Sequence, residues 1–218
     1  MEVTIIRKRV KNLNLRVKPN LEVILSAPIN LERKYIDNFL DSKQSWIDRQ
    51  LNFFRECSTQ NIEKEFVSGE NFRYLGKNYR LKVIEDIKDE VELQNDFLML
   101  YISNKSDIEL KRRVIKEWYQ NRAKEVFQKL IEKYQPIVKK KINRITLKEM
   151  KTRWGSCNSQ KGYINLNLHL IHQPTRCIEY VVAHELAHLV HPNHSKEFYN
   201  YLSYLLPDWR ELRERLHY

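Results

Sequence analysis

The sequence predicts an α+β fold, with a β-rich N-terminal part containing one helix and a C-terminal part built around a histidine-bearing helix. Three observations carry that expectation. Short segments of alternating apolar and polar residues fill much of the first 105 positions. Apolar residues recur at helical spacing from Leu31 to Phe54 and again after Ser106. The last third sets two strand-like segments ahead of a His-Glu-x-x-His sequence. The expected division is therefore 1–105 and 106–218.

Each element has its own signal. Val3 to Val10, Leu13 to Val17 and Leu21 to Ser26 alternate as strands, and Pro28-Ile29-Asn30 stops them. Tyr35, Ile36, Phe39, Leu40, Trp46, Ile47, Leu51 and Phe54 mark a helix over 31–54, an aromatic stripe that reads as core packing. A hairpin is expected across Asn71 to Val83, turning at Gly76-Lys77-Asn78, with short strands at Val91 to Leu93 and Phe97 to Ile102. Asp107 and Ser106 suit an N-cap, and Ile108, Val114, Ile115, Trp118, Val126, Phe127 and Leu130 trace a long helix expected to end before Pro136. Ile145 to Met150 and Tyr163 to Asn167 read as strands joined by a glycine-bearing connection, Thr152 to Asn158, where Gly155 is expected to permit a turn. Pro174 opens the next helix, Pro192 closes it, and further helices are expected from Ser195 and after Pro207.

Composition narrows the functional classes. The chain has 218 residues, 42% of them hydrophobic, with 4 Gly and 6 Pro, so a folded core is expected and long flexible linkers are not. No apolar run approaches the roughly 20 residues that cross a bilayer, and the first residues lack the basic-then-apolar order of a signal peptide. The expected location is cytoplasmic, with no membrane partner. Cys57, Cys157 and Cys177 are widely spaced and odd in number, which fits reduced, packed thiols and no disulfide framework. A formal charge of +11 makes a nucleotide or nucleic acid a possible partner, although a solvated surface explains it equally.

The segment His184-Glu185-Leu186-Ala187-His188-Leu189-Val190-His191-Pro192-Asn193-His194 carries the chemistry. Helix positions i and i+4 lie about 40° apart around the axis and one turn apart along it, so His184 and His188 can share one ion. Zinc accepts imidazole nitrogen in tetrahedral sites and needs a third protein ligand, leaving a position for water. His194 is the preferred third ligand, because Pro192 lets the chain fold back; His191 is its rival. Glu185, next to the first ligand, is the candidate general base for a metal-activated water. Two histidines and a glutamate within an apolar helix would be costly to bury without such a partner. One Zn2+ per chain is expected. His169 and His172 read as ordinary polar positions, and nothing local marks Cys157 as a nucleophile.

Arg153-Trp154-Gly155-Ser156-Cys157, His184-Glu185-Leu186-Ala187-His188-Leu189 and Asn193-His194-Ser195-x-x-Phe198, in that order, resemble the YgjP-like zinc metallopeptidase family, and more distantly the SprT-like and WLM metalloproteases. The resemblance covers nearly the whole chain. It implies a C-terminal zincin-like part with the metal-bearing helix packed on a small sheet, zinc at His184, His188 and His194, and catalytic Glu185. Position 199 is Tyr where Trp is common, and His191 stands where metzincins carry Gly, which disfavours that sister class.

Three functions compete at this point. A metallopeptidase would bind a peptide or protein substrate along an edge strand, for which Gly162 to Asn167 is the candidate, with Arg153, Tyr163 and Asn165 as substrate contacts. A metal-dependent nucleotide phosphohydrolase would use Arg153 or Lys151 for phosphate. A nucleic-acid-associated zinc module would use the 11 Lys and Arg, against 5 Asp and Glu, of residues 107–142.

Overall fold

The computed structural model describes residues 3–18, 20–59 and 64–216, without the side chains of 53 and 56–59, so Cys57 lies outside the described side chains. The chain is α+β, and its strands form three small mixed sheets among the described residues. It divides into two compact units, Met1–Ile62 and Glu63–Leu216. The division expected at 105/106 instead falls inside the second unit, because the strands before it pack on the helix after it.

In the first unit, β1 (Val3–Lys8) runs parallel to β3 (Val23–Pro28), and β2 (Asn14–Val17) pairs antiparallel on the other side of β3. Leu25, Ala27 and Ile36 form the core, with Ile5, Leu15 and Phe39 packed against it. Helix α1 spans Arg33–Thr59, longer than the apolar stripe that predicted it.

The second unit begins with a four-stranded sheet, ordered β4 (Asn71–Tyr74), β5 (Lys77–Glu85), β7 (Phe97–Ile102), β6 (Glu90–Gln94). Leu75 (φ 49) and Gly76 (φ 84) form the tight β4–β5 turn, a left-handed pair that suits a two-residue hairpin. The turn reaches beyond its own sheet. The N–H groups of Leu75 and Gly76 donate to the carbonyls of Ile171 (2.9 Å) and His172 (3.1 Å) in a 3-10 turn, Leu168–His172, that the sequence did not announce. A Cβ on Gly76 would lie 2.9 Å from Pro174, so this hairpin fits closely against the start of the next helix.

Helix α2 spans Ile108–Val138, capped by Asp107, whose side chain accepts from the Leu110 N–H. It continues past Pro136, contrary to expectation. Proline in the last turn forfeits one intrahelical bond, and Lys139, left-handed at φ 51, still donates to the Gln135 carbonyl to close the helix.

The third sheet positions the chemistry. Its order is β8 (Arg144–Lys148), β10 (Tyr163–Asn167), β9 (Gly155–Asn158). Two expectations fail here. The glycine-bearing connection contains a strand, β9, antiparallel to β10. And β10, expected at an edge, is the central strand, parallel to β8 on its other side. The edges are β8 and β9. Helix α3 (Thr175–Ala187) packs on α2 and on this sheet, and α4 (Lys196–Leu205) and α5 (Trp209–Arg215) follow.

Candidate metal centre

Helix α3 is buried along its length from Cys177 to Ala187, which places His184 and Glu185 in the interior at 4% and 2% exposure. His188 is the first residue past the helix and keeps right-handed helical angles (φ −65, ψ −21), so the i, i+4 relation to His184 survives. The chain turns at 189–193 and returns His194, from the connection before α4, to the same point. One ligand atom from each of His184, His188 and His194 lies within 4.8 Å of the others. The Nε2 atoms of His184 and His194 face each other at 3.0 Å.

The residues fit a metal. Burial first, then the neighbouring His188, His194 and Arg213, hold His184 well below the usual imidazole range. Burial also lowers His188 and His194. All three rings are therefore neutral near pH 7 and offer lone pairs. Tetrahedral zinc with Zn–N bonds of about 2.0–2.1 Å separates its nitrogens by roughly 3.3 Å, close to the spacing found between His184 and His194. His188 Nδ1–H donates to the His191 carbonyl at 3.2 Å, which fixes the tautomer that leaves Nε2 open. The His191 ring instead meets Tyr201, with 5.4 Å between centroids.

Glu185 is pressed against the edge strand. A Cβ on Gly155 would stand 2.5 Å from Glu185 Oε1, 2.7 Å from its Cγ and 2.9 Å from its carboxyl carbon. Gly155 has no positive φ and sits in a strand, so the expected turn is not its reason for being glycine. The missing side chain makes room for the carboxylate beside the β9 backbone. Cys157 lies on the same face two residues on, and burial, with the Glu185 charge second, pushes its thiol up to about 12. At neutral pH it is an un-ionised thiol, as the sequence suggested.

The model of the YgjP-like metallopeptidase domain matches residues 11–218. The chain belongs to the YgjP-like metallopeptidase family. It is accordingly a metallopeptidase, a hydrolase that works with a divalent metal. No curated protein matches the chain. Among solved structures it is similar to the metallopeptidase zymogen of Pyrococcus abyssi abylysin, at 21% identity over 41% of this chain and 90% of that one, with a TM-score of 0.38. The zymogen of Methanocaldococcus jannaschii jannalysin is also 21% identical, over 41% and 92%, with a TM-score of 0.37.

The remaining residues singled out in this YgjP-like chain fall in different places. Arg153 is exposed at the foot of β9, and Trp154 beside it is buried. Tyr163 and Asn165 pair with Asn158 and Ser156 of β9, on the sheet face opposite Gly155 and Cys157. Asn165 Nδ2 donates to Ser156 Oγ at 3.0 Å. Sequence reasoning missed Asn167, which is fully buried. Its Nδ2 donates to the carbonyls of Met150 (2.7 Å) and Arg153 (3.0 Å), and its Oδ1 accepts from the N–H of Met150 (3.3 Å) and His169 (3.1 Å). One amide thus staples the loop that leads into β9. His172, read as an ordinary polar position, interacts through Nδ1 with the Arg73 carbonyl at 2.7 Å, and burial pushes it down to about 4. No helix among the described residues is long and apolar enough to cross a membrane.

Proposed function

We propose that the chain is a zinc metallopeptidase, with one ion held by His184, His188 and His194, Glu185 as the general base, and an extended peptide seated along the free edge of β9. The observation that carries this reading is convergence. Three neutral imidazoles meet at one point, and the carboxylate next in sequence to the first of them lies against an edge strand. A bound zinc would bring the pKa of its water to about 7 and polarise the scissile carbonyl.

The chain's own groups do the rest. Glu185 accepts a proton from the water as it attacks and later delivers it to the departing amine nitrogen. Gly155 lets the β9 backbone approach the carboxylate, so a peptide hydrogen-bonded to that strand would carry its scissile bond past Glu185. Asn167 holds the loop before β9 in place, and Arg153 is free to reach a substrate carbonyl or carboxylate. Tyr163 and Asn165 fit a supporting role, tying β9 to β10 from the far face.

The test pairs metal analysis with turnover of an unfolded protein and of nucleoside triphosphates, using Glu185→Gln as control. The expected result is one zinc per chain and cleavage of the protein only. Glu185→Gln should keep the zinc and lose about 10²–10⁴-fold in kcat. Zinc below half an equivalent after reconstitution, or triphosphate hydrolysis lost in Glu185→Gln without any proteolysis, would overturn the reading.

A further inference from the structure

Of the three clustered imidazoles, His194 alone lies outside α3 and its first following residue, and it is exposed. Its order must come from its neighbours. The ring stacks on Tyr199, with 6.0 Å between centroids and 21° between planes. Tyr199 stacks on Trp209 at 5.2 Å and 18°, and the Arg210 guanidinium lies 4.7 Å over the Trp209 ring. These spacings are those of offset aromatic stacking.

The Trp209 end of the column is anchored twice. Trp209 Nε1 donates to Ser203 Oγ at 2.8 Å, and that hydroxyl donates to the Tyr199 carbonyl at 2.9 Å. Arg176 on α3 donates to both carboxylate oxygens of Asp208, at 2.6 and 2.8 Å, immediately before Trp209. A circuit therefore runs from α3 through Asp208, Trp209 and Tyr199 to His194 and back to His184. Phe198, fully buried, completes the setting, with its ring 4.6 to 5.0 Å from all three imidazoles.

We propose that Tyr199 and Trp209 are positioning residues for His194, and that their stack sets how tightly the metal is held. The inference rests on His194 being a ligand. An imidazole binds a metal through an in-plane lone pair, so the ring plane decides where the ion can sit. Stacking on Tyr199 fixes that plane, and with it the approach of His194 Nε2 to His184 Nε2. A loop ligand left free would lose conformational entropy when the metal binds; one already stacked has little left to lose. Groups that orient a metal ligand typically contribute about 10–100-fold in affinity.

The experiment measures the zinc dissociation constant by chelator competition, together with the d–d spectrum of the cobalt(II) form. Tyr199→Ala and Tyr199→Leu should weaken zinc about 10–100-fold and alter the cobalt bands, whereas Tyr199→Phe and Tyr199→Trp should stay within about twofold. Trp209→Leu should weaken zinc in the same direction. Tyr201→Ala, which removes a ring facing His191, should leave affinity unchanged. Tyr199→Leu preserves bulk and guards against simple unfolding, checked by the melting of the metal-free protein. A wild-type dissociation constant and spectrum in folded Tyr199→Leu would overturn the proposal. Equal weakening in Tyr199→Phe would also overturn it, by moving the effect from the ring to the hydroxyl. His194→Ala in the same assay separates the two levels: if it binds zinc like the wild type, the ligand assignment itself falls.

Discussion

Replacing Gly155 by alanine adds one methyl group directly against the Glu185 carboxylate. The new Cβ would lie 2.5 Å from Glu185 Oε1, and ordinary contact begins near 3.4 Å, so the carboxylate must retreat by about 0.9 Å or β9 must shift by as much. Neither is easy, because Glu185 is 2% exposed and β9 is held by β10. Overpacking of this kind costs about 1–3 kcal/mol. In a unit of this size that lowers Tm by about 2–12 °C. The effect on catalysis should be larger than the effect on folding, since a misplacement near 1 Å commonly costs about 10²-fold in rate. The three imidazoles are untouched, so zinc content should stay at the wild-type level. The assay is kcat on an unfolded fluorogenic protein, with metal content and Tm measured on the same samples. Wild-type kcat in Gly155→Ala would refute the argument that the bare glycine exists to seat Glu185. Loss of zinc alongside activity would place the strain on the histidines and refute it equally.

Other outcomes follow from the same geometry. Asn167→Ala should destabilise by about 2–6 kcal/mol in urea unfolding, because it removes four hydrogen bonds made by a fully buried amide, each worth about 0.5–1.5 kcal/mol. Glu179 accepts from Lys133 at 2.5 Å, from Tyr134 at 2.7 Å and from Arg176. Glu179→Ala should therefore cost about 1–3 kcal/mol, mostly for the buried Tyr134 hydroxyl, since both cations can turn to water. His172 gives a pH signature: its folded pKa is about 4 against an unfolded value of 6.5. The unfolded chain takes up a proton that the folded chain refuses, so stability is full above pH 6.5, falls by about 3 kcal/mol as pH drops to 4, and then levels off. His172→Gln should remove one proton from the pH dependence of the urea midpoint in that window.

The histidine cluster was legible because its whole pattern lies within eleven residues and obeys one local rule, the i, i+4 spacing followed by a return of the chain after Pro192. The helices around it were legible from periodicity, and so were most strand cores. Helix ends were less so. Pro136 was read as a stop, yet in a final turn it removes only one bond, and the Lys139 cap decides where the helix closes. The shift from strands to helix near residue 105 looked like a boundary. Whether two segments share a core depends on which faces meet, and β6 and β7 meet α2.

What stayed hidden at the site was non-local. Gly155-Ser156-Cys157-Asn158 has no bulky alternating side chains, so it does not read as a strand; its pairing with β10 makes it one. Strand order likewise leaves no period in a sequence, which is why β10 was taken for an edge when β9 occupies it. The glycine gave a true signal with the wrong cause attached. A glycine in a short stretch without apolar alternation is ordinarily read as a turn, and only the Glu185 carboxylate, thirty positions later, shows that the absent Cβ and not a left-handed φ is what the site requires. Asn167 hid for the same reason, since three of its four bonds run to a loop that begins seventeen residues earlier. A metal motif can be found by reading along the chain, but the groups that aim it come from strands, loops and helices that meet only in the fold.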